Sequence, residues 1–344
     1  MDFSQGPSIG AVIRGKRPAT CMSYHEDGSY LFITSEEDSR LRIVDCLRGT
    51  SDKPAFKFER DGVKLVQSTH HNQSLIFTGS QKDKAQNVGS KFALNYLSVH
   101  DNKILRQFRG HSGEVTNISM SPVDDTFLTS SKDRTIRLWD LKQAGSIAAM
   151  DMPKQGNGFN MSQSGVPIAA FDSTGLVFGI TAPTETGNVI HLYDARKYTD
   201  GAFSEMNLDS QTLASAIEKR GMPASISAAN WTSMAFNQSG KQILVTTDEG
   251  MVIVVDGYDA NIVTNVFFSE GETNKMGSST ACFSSDDNTV LVGNGDGTID
   301  CYDTMNGNLL KKLKGHVGAI GCVASNPKYS QIASACTNIA IWNW

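Results

Sequence analysis

The sequence has no strong excess of charge of one sign, no long apolar run and no close pair of cysteines, and each absence removes a class of function. Thirty-one Lys and Arg stand against 36 Asp and Glu, a net charge of −5. That balance gives no broad electrostatic reason to hold a nucleic-acid backbone or an anionic membrane, so neither is an expected partner. The strongest apolar run, Met251 to Val255, is far too short to span a bilayer, and MDFSQGPSIGAVIRGKRP at the start lacks the apolar core of a signal peptide. A soluble intracellular protein is expected. Six cysteines, Cys21, Cys46, Cys282, Cys301, Cys322 and Cys336, lie far apart, without the spacing of zinc or redox motifs, and are read as buried, reduced and structural. Proline is scarce at 9 residues against 31 glycines, which describes a turn-rich globular chain without low-complexity stretches.

What is present is a repeat. Short β-rich segments closing on Asp recur as LRIVD at Asp45, YLSVHD at Asp101, IRLWD at Asp140, IHLYD at Asp194, VIVVD at Asp256 and IDCYD at Asp303, with IAIWN at Asn343 as a seventh. Successive spacings of 56, 39, 54, 62, 47 and 40 residues each hold one four-stranded unit of about 40 residues, the longer ones with inserted loops. Within a unit a strand such as EVTNISMS, a polar turn such as PVDDT, and a second strand such as FLTSS precede the closing segment. The best helical pattern, DSQTLASAIEKR from Asp209 to Arg220, lies in the longest spacing and is read as an excursion.

These units resemble the WD-repeat family, whose signature is a Gly-His pair, a variable core and a Trp-Asp pair. The signature is complete at Gly110-His111 with Trp139-Asp140, and nearly so at Gly315-His316 with Trp342-Asn343. The resemblance covers essentially the whole chain. It implies an all-β, seven-bladed WD-repeat β-propeller, one domain over residues 1–344. The last unit reaches Trp344 one strand short, and SIGAVIRGK, Ser8 to Lys16, alternates so as to supply that strand and remove an exposed edge.

GHSGEVTNISMSPVDDTFLTSSKDRTIRLWD, Gly110 to Asp140, holds a His, hydroxyls and carboxylates, the raw material of a catalytic triad. The resemblance instead makes His111, Ser131, Asp133 and Trp139 a hydrogen-bonded structural network inside one blade. Complementary donors and acceptors make that physically sound, since a buried unpaired member costs roughly 1–3 kcal/mol. No catalytic residue, metal ligand or cofactor is expected. His70-His71 completes no metal motif, Glu36 to Ser39 is an acidic turn, and GNGDGT at Gly293 to Thr298 joins two strands without opening a helix.

Two stretches are more specific: Tyr96 to Leu141, with LSVHDNK and SMSPVDDTF, and NPKYSQIASACTNIAIW, Asn326 to Trp342. Both resemble the small WD-repeat subunits of COMPASS, the complexes that methylate lysine on histone H3, a family shared with the mRNA cleavage and polyadenylation machinery and with a nuclear phosphatase complex. The resemblance implies a nuclear, non-catalytic adaptor, a monomeric propeller within larger assemblies. Its partners would be the N-terminal region of a histone methyltransferase and subunits of the polyadenylation, termination and phosphatase complexes. Motif positions at the mouth of such a propeller are Glu37, Lys64, Glu114, Thr116 and Lys132, a mixed-charge rim suited to a polar peptide. Departures from the family pattern fall near 84–92 and over 204–230, read as inserts. An alternative is a substrate receptor of a cullin-type ubiquitin ligase, for which Asp194 and Arg196 in IHLYDARK would form the docking box.

Overall fold

A computed structural model describes residues 7–51, 55–59, 61–80, 92–151, 165–184, 187–259, 262–269 and 280–344. Their strands form seven four-stranded sheets, the blades of the expected seven-bladed β-propeller. Blade 3 shows the plan: strand a is Val115–Met120, b is Thr126–Ser131, c is Thr135–Asp140 and d is Ala148–Asp151, paired antiparallel in that order.

Composition follows position in the blade. The b strands YLFITS, SLIFT, QILVTT and TVLVG are buried almost throughout, which is why they read as continuous β-branched and apolar runs instead of alternating ones. Outer strands carry charge instead: KILRQF (Lys103–Phe108) and LLKKLK (Leu309–Lys314) are largely exposed and each contains a bulge. Bulges and cations on an edge discourage pairing with another chain.

The recurring Asp has a local cause. Its Oδ1 accepts backbone amides two or three residues on: Leu47 and Arg48 at Asp45, Lys142 at Asp140, Arg196 at Asp194, Tyr258 and Asp259 at Asp256, and Met305 and Asn306 at Asp303. Each carboxylate closes the c–d turn. Blade 2 departs from the expected alignment. Its c strand is Leu94–Ser98, and Ser98, paired with Ser74, holds the position that Asp140 holds opposite Thr126. Asp101 lies three residues further on, where it accepts a hydrogen bond from the Ser98 hydroxyl.

The chain divides into two compact units, residues 1–110 with 267–344, and residues 111–266. The first carries blades 6, 7, 1 and 2. Blade 7 takes Cys322–Ser325, Gln331–Ala335 and Ile339–Asn343 from the far end and Ser8–Ile13 from the beginning, in register from Ser8 opposite Asn343 to Ile13 opposite Ile339. Apolar clusters join consecutive blades here: Leu31, Ile33, Val44, Ala333 and Ile341 between blades 1 and 7, and Phe32, Leu41, Leu75, Phe77 and Leu97 between blades 1 and 2.

The second unit carries blades 3, 4 and 5, with Leu128, Ile136, Leu138, Phe178 and Ile180 packed between the first two. The expected insert over 204–230 begins later than its sequence suggests. Ser204–Asp209 is the outer strand of blade 4, paired residue by residue with Gly187–Leu192 and burying Met206 and Leu208. Only then comes helix α1, Ser210–Glu218, which buries Leu213 and Ile217 one turn apart. All but the last residue of the other departure, 84–92, lies outside the described residues.

Candidate functional site

Blade 3 holds seven of the polar residues singled out in the sequence, His111, Glu114, Thr116, Ser131, Lys132, Asp133 and Trp139, and they divide into a buried network and a rim. Trp139 Nε1 donates to Thr129 Oγ1 at 2.8 Å, and the same oxygen lies 2.7 Å from His111 Nε2. An indole N–H can only donate, so the Thr129 hydroxyl accepts it and gives its own proton to Nε2. That leaves His111 Nδ1–H facing Asp133 Oδ2 at 2.9 Å. Asp133 also accepts from the Ser112 amide on Oδ2 and from the Thr135 amide and hydroxyl on Oδ1.

The electrostatics fit a fixed, neutral imidazole. Burial pushes His111 below its ordinary pKa, and Asp133 pulls the other way without overcoming it. Burial pushes Asp133 up, but its bonds from Thr135, His111 and Ser112 win and bring it down to about 2. The result is a carboxylate with its donors satisfied beside a histidine that holds no extra proton at neutral pH.

The hydroxyl between His111 and Trp139 is therefore Thr129, a correction to the expected Ser131. Both point to the same face of strand b, but Thr129 sits mid-strand within reach of both rings. Ser131 ends the strand, where its Oγ accepts the Asp133 amide at 3.1 Å. Gly113 completes the turn, since a Cβ there would lie 2.6 Å from the Asp133 nitrogen.

This arrangement presents no nucleophile. Thr129 and Ser131 are 1 % and 0 % exposed, so neither hydroxyl can meet a substrate. The string GPSIG at residues 6–10 spells the G-x-S-x-G of a nucleophile elbow. Ser8, however, opens a strand and pairs with Asn343, so no strand-to-helix turn presents its hydroxyl. Among the described residues no three His, Cys, Asp or Glu side chains gather as metal ligands, and no helix is long and apolar enough to cross a membrane.

On the rim of blade 3, Lys132 Nζ meets Glu114 Oε2 at 2.6 Å, and the Lys132 amide donates to the Glu114 carbonyl at 2.9 Å. Thr116 lies two residues along and donates to the Ser130 carbonyl at 3.3 Å. Three sequence-derived positions thus share one corner of the blade. Arg134, missed in the sequence, is exposed beside them with φ of 67°. Gly250 and Gly297 occupy the same left-handed position before strand c in blades 5 and 6, so an arginine is held there at some local cost.

Glu37 and Lys64 belong to the other unit. Glu37 Oε2 pairs with Arg17 Nη1 at 3.3 Å, which makes Arg17 a further rim residue. The Lys64 amide donates to Thr78, and its carbonyl accepts the Thr34 hydroxyl at 2.5 Å, fixing the backbone where blade 2 begins. Elsewhere His70 Nδ1 lies 2.6 Å from Glu26 Oε2, residues 36–39 form the turn between strands b and c of blade 1, and residues 294–297 turn between Thr289–Gly293 and Thr298–Asp303. Asp194 Oδ1 accepts the Arg196 amide at 2.8 Å, the same turn that blades 1, 3, 5 and 6 make with Leu47, Lys142, Tyr258 and Met305 at the Arg196 position.

A family model described as "WD domain, G-beta repeat" matches residues 102–140 and 307–343, the two stretches that contain the His–hydroxyl–Trp arrangements. The chain is 33 % identical over 322 residues to WD repeat-containing protein 82 of Drosophila melanogaster, an alignment covering 93 % of this chain and 89 % of the relative. It is 27 % identical over 330 residues to the COMPASS component SWD2 of Saccharomyces cerevisiae, covering 92 % and 88 %. With the Set1 complex component swd2 of Schizosaccharomyces pombe it shares 30 % identity over 247 residues, 72 % of this chain and 59 % of the relative. Seven four-stranded blades, the buried network of blade 3 and these similarities together establish that the chain belongs to the WD-repeat family.

Proposed function

We propose that this protein is a non-catalytic scaffold subunit of a COMPASS-type histone H3 lysine methyltransferase complex, binding a peptide segment of its partners on the blade rims. The observation that carries the reading is near full-length similarity to a relative named as a COMPASS component, with similarity over 72 % of this chain to one named as a Set1 complex component. Local geometry supports it. The polar groups that resemble a triad are buried and mutually satisfied, whereas Lys132, Arg134, Glu37 and Arg17 are exposed and the half-buried Glu114 pairs with Lys132. An exposed pair contributes only about 0–1 kcal/mol, so a partner's carboxylate or ammonium can replace one member at small cost.

The methyltransferase segment belongs to its N-terminal region, and further partners are subunits of the mRNA cleavage, polyadenylation and termination machinery and of a phosphatase complex. The protein acts in the nucleus, as the relatives named as COMPASS and Set1 complex components imply. Titration of the full chain with a recombinant N-terminal segment of the methyltransferase tests the reading. Saturable 1:1 binding is expected; no binding at concentrations of roughly 100 μM would reject it. The cullin-receptor alternative gains nothing from Asp194 and Arg196, whose contact is the ordinary c–d turn.

A further inference from the structure

Blade 7 repeats the buried network with sulfur where blade 3 has a carboxylate. His316 Nε2 lies 2.7 Å from Ser334 Oγ, and Trp342 Nε1 donates to that same oxygen at 2.8 Å. On its other nitrogen, His316 Nδ1 faces Cys336 Sγ at 3.1 Å. The exchange follows from turn length. Strands b and c last pair at Ser130 and Ile136 in blade 3, but at Ala335 and Ile339 in blade 7, so the turn is two residues shorter. No residue is left at the Asp133 position, and Cys336, at the position of Ser131, turns its sulfur to the imidazole.

The place it fills is built for an anion. The polarity argument of blade 3 applies again: Trp342 can only donate, the Ser334 proton then goes to Nε2, and Nδ1–H is left to donate to sulfur. The Asn338 amide also points at Sγ, at 3.4 Å, as does the Gly318 backbone. Burial pushes the Cys336 thiol up, but these donors outweigh it and bring it to about 7. In contrast, burial pushes Cys46, Cys282 and Cys301 up to about 12 and raises Cys21 and Cys322. Cys336 is 6 % exposed and His316 half-buried, so the pair lies at the edge of the blade's buried interior.

We propose that Cys336, paired with His316, is a modification site: a thiolate that a small hydroperoxide oxidises to the sulfenic acid ahead of the other five cysteines. The sulfur attacks the terminal peroxide oxygen and the O–O bond breaks. Sulfur loses two electrons, the peroxide gains them, and the departing alkoxide or hydroxide takes a proton from solvent. Oxidation removes the negative charge to which His316 Nδ1–H donates at 3.1 Å, so it weakens the His316 contact. The turn it disturbs also receives the Gly15 amide on Asn338 Oδ1 at 3.2 Å, next to the strand that completes the blade.

The test exposes the full-length folded protein to hydrogen peroxide with dimedone and maps adducts by peptide mass spectrometry. The expected result is an adduct at Cys336 at least about tenfold ahead of any other cysteine, falling about tenfold in His316→Gln. If that variant does not fold, Cys336→Asp, which restores a carboxylate to the imidazole, serves instead. Its melting midpoint should be indifferent to peroxide while that of the unmodified sequence falls. Adducts spread evenly over the six cysteines, a Cys336 rate unchanged by His316→Gln in folded protein, or equal peroxide responses of Cys336→Asp and the parent would each overturn the proposal.

Discussion

Trp139 and His111 meet on a single oxygen, Thr129 Oγ1, at 2.8 and 2.7 Å, and that shared hydroxyl fixes strand c, the entry to strand a and the b–c turn relative to one another. Removing it orphans two buried groups at once. Thr129→Ala should therefore destabilise the protein by roughly 2–4 kcal/mol, more than Ser131→Ala, which leaves only one amide at the turn without its acceptor. Urea unfolding of the two variants checks this; equal losses would return the shared role to Ser131.

His111→Ala separates architecture from function. A loss of roughly 1–3 kcal/mol in unfolding free energy is expected, with affinity for the methyltransferase segment unchanged in the folded fraction. Intact stability combined with lost binding would reopen the reading of this cluster as an active or binding site.

Acid should act on the same network with a defined sign. An unfolded Asp titrates near 3.9, whereas Asp133 in the fold is brought down to about 2. A depressed folded value means stabilisation present above the unfolded pKa and lost as pH falls from about 4 through about 2. The amount is about 2 kcal/mol. The stability gap between the parent and Asp133→Asn should accordingly narrow by most of that amount between about pH 6 and about pH 2.5. A gap independent of pH would show that the Asp133 charge contributes nothing.

Much of this was legible in the sequence, for physical reasons. The recurring Asp marks the c–d turn of blades 1, 3, 4, 5 and 6, and Ser8 to Lys16 shows the alternation of a strand needing a partner. The helix after Asp209 shows its apolar spacing at Leu213 and Ile217. What was not legible depends on reach. Thr129 and Ser131 share a face, and only the lengths of two rings choose between them. Ser98 replaced the expected Asp101 because a serine hydroxyl and a later carboxylate together close that turn. Ser204–Asp209 was absorbed into an insert because the helix follows it without a break. Cys336 gave no signal because two missing turn residues, not its own identity, put it on His316.

Removing residues 1–16 takes away the strand that pairs with Ile339–Asn343 and exposes an apolar edge. The truncated protein should melt at least about 5 °C lower or unfold without a single transition, with aggregation on heating. A truncated protein that melts like the full chain would refute the role assigned to Ser8–Ile13.

Charge reversal on the rims tests the proposed surface. Lys132→Glu with Glu37→Lys breaks two exposed ion pairs whose loss should leave the melting midpoint nearly unmoved. Affinity for the methyltransferase segment should drop about tenfold or more, which is about 1.4 kcal/mol. Unchanged affinity would move the binding surface elsewhere on the propeller.

The central claim is membership in a methyltransferase complex, and affinity purification of the tagged full-length chain from its own cells, followed by quantitative mass spectrometry, tests it most directly. The account predicts stoichiometric recovery of a histone H3 lysine methyltransferase, with polyadenylation-complex subunits beside it. Recovery of a cullin ligase adaptor in place of the methyltransferase, or of neither, would contradict it.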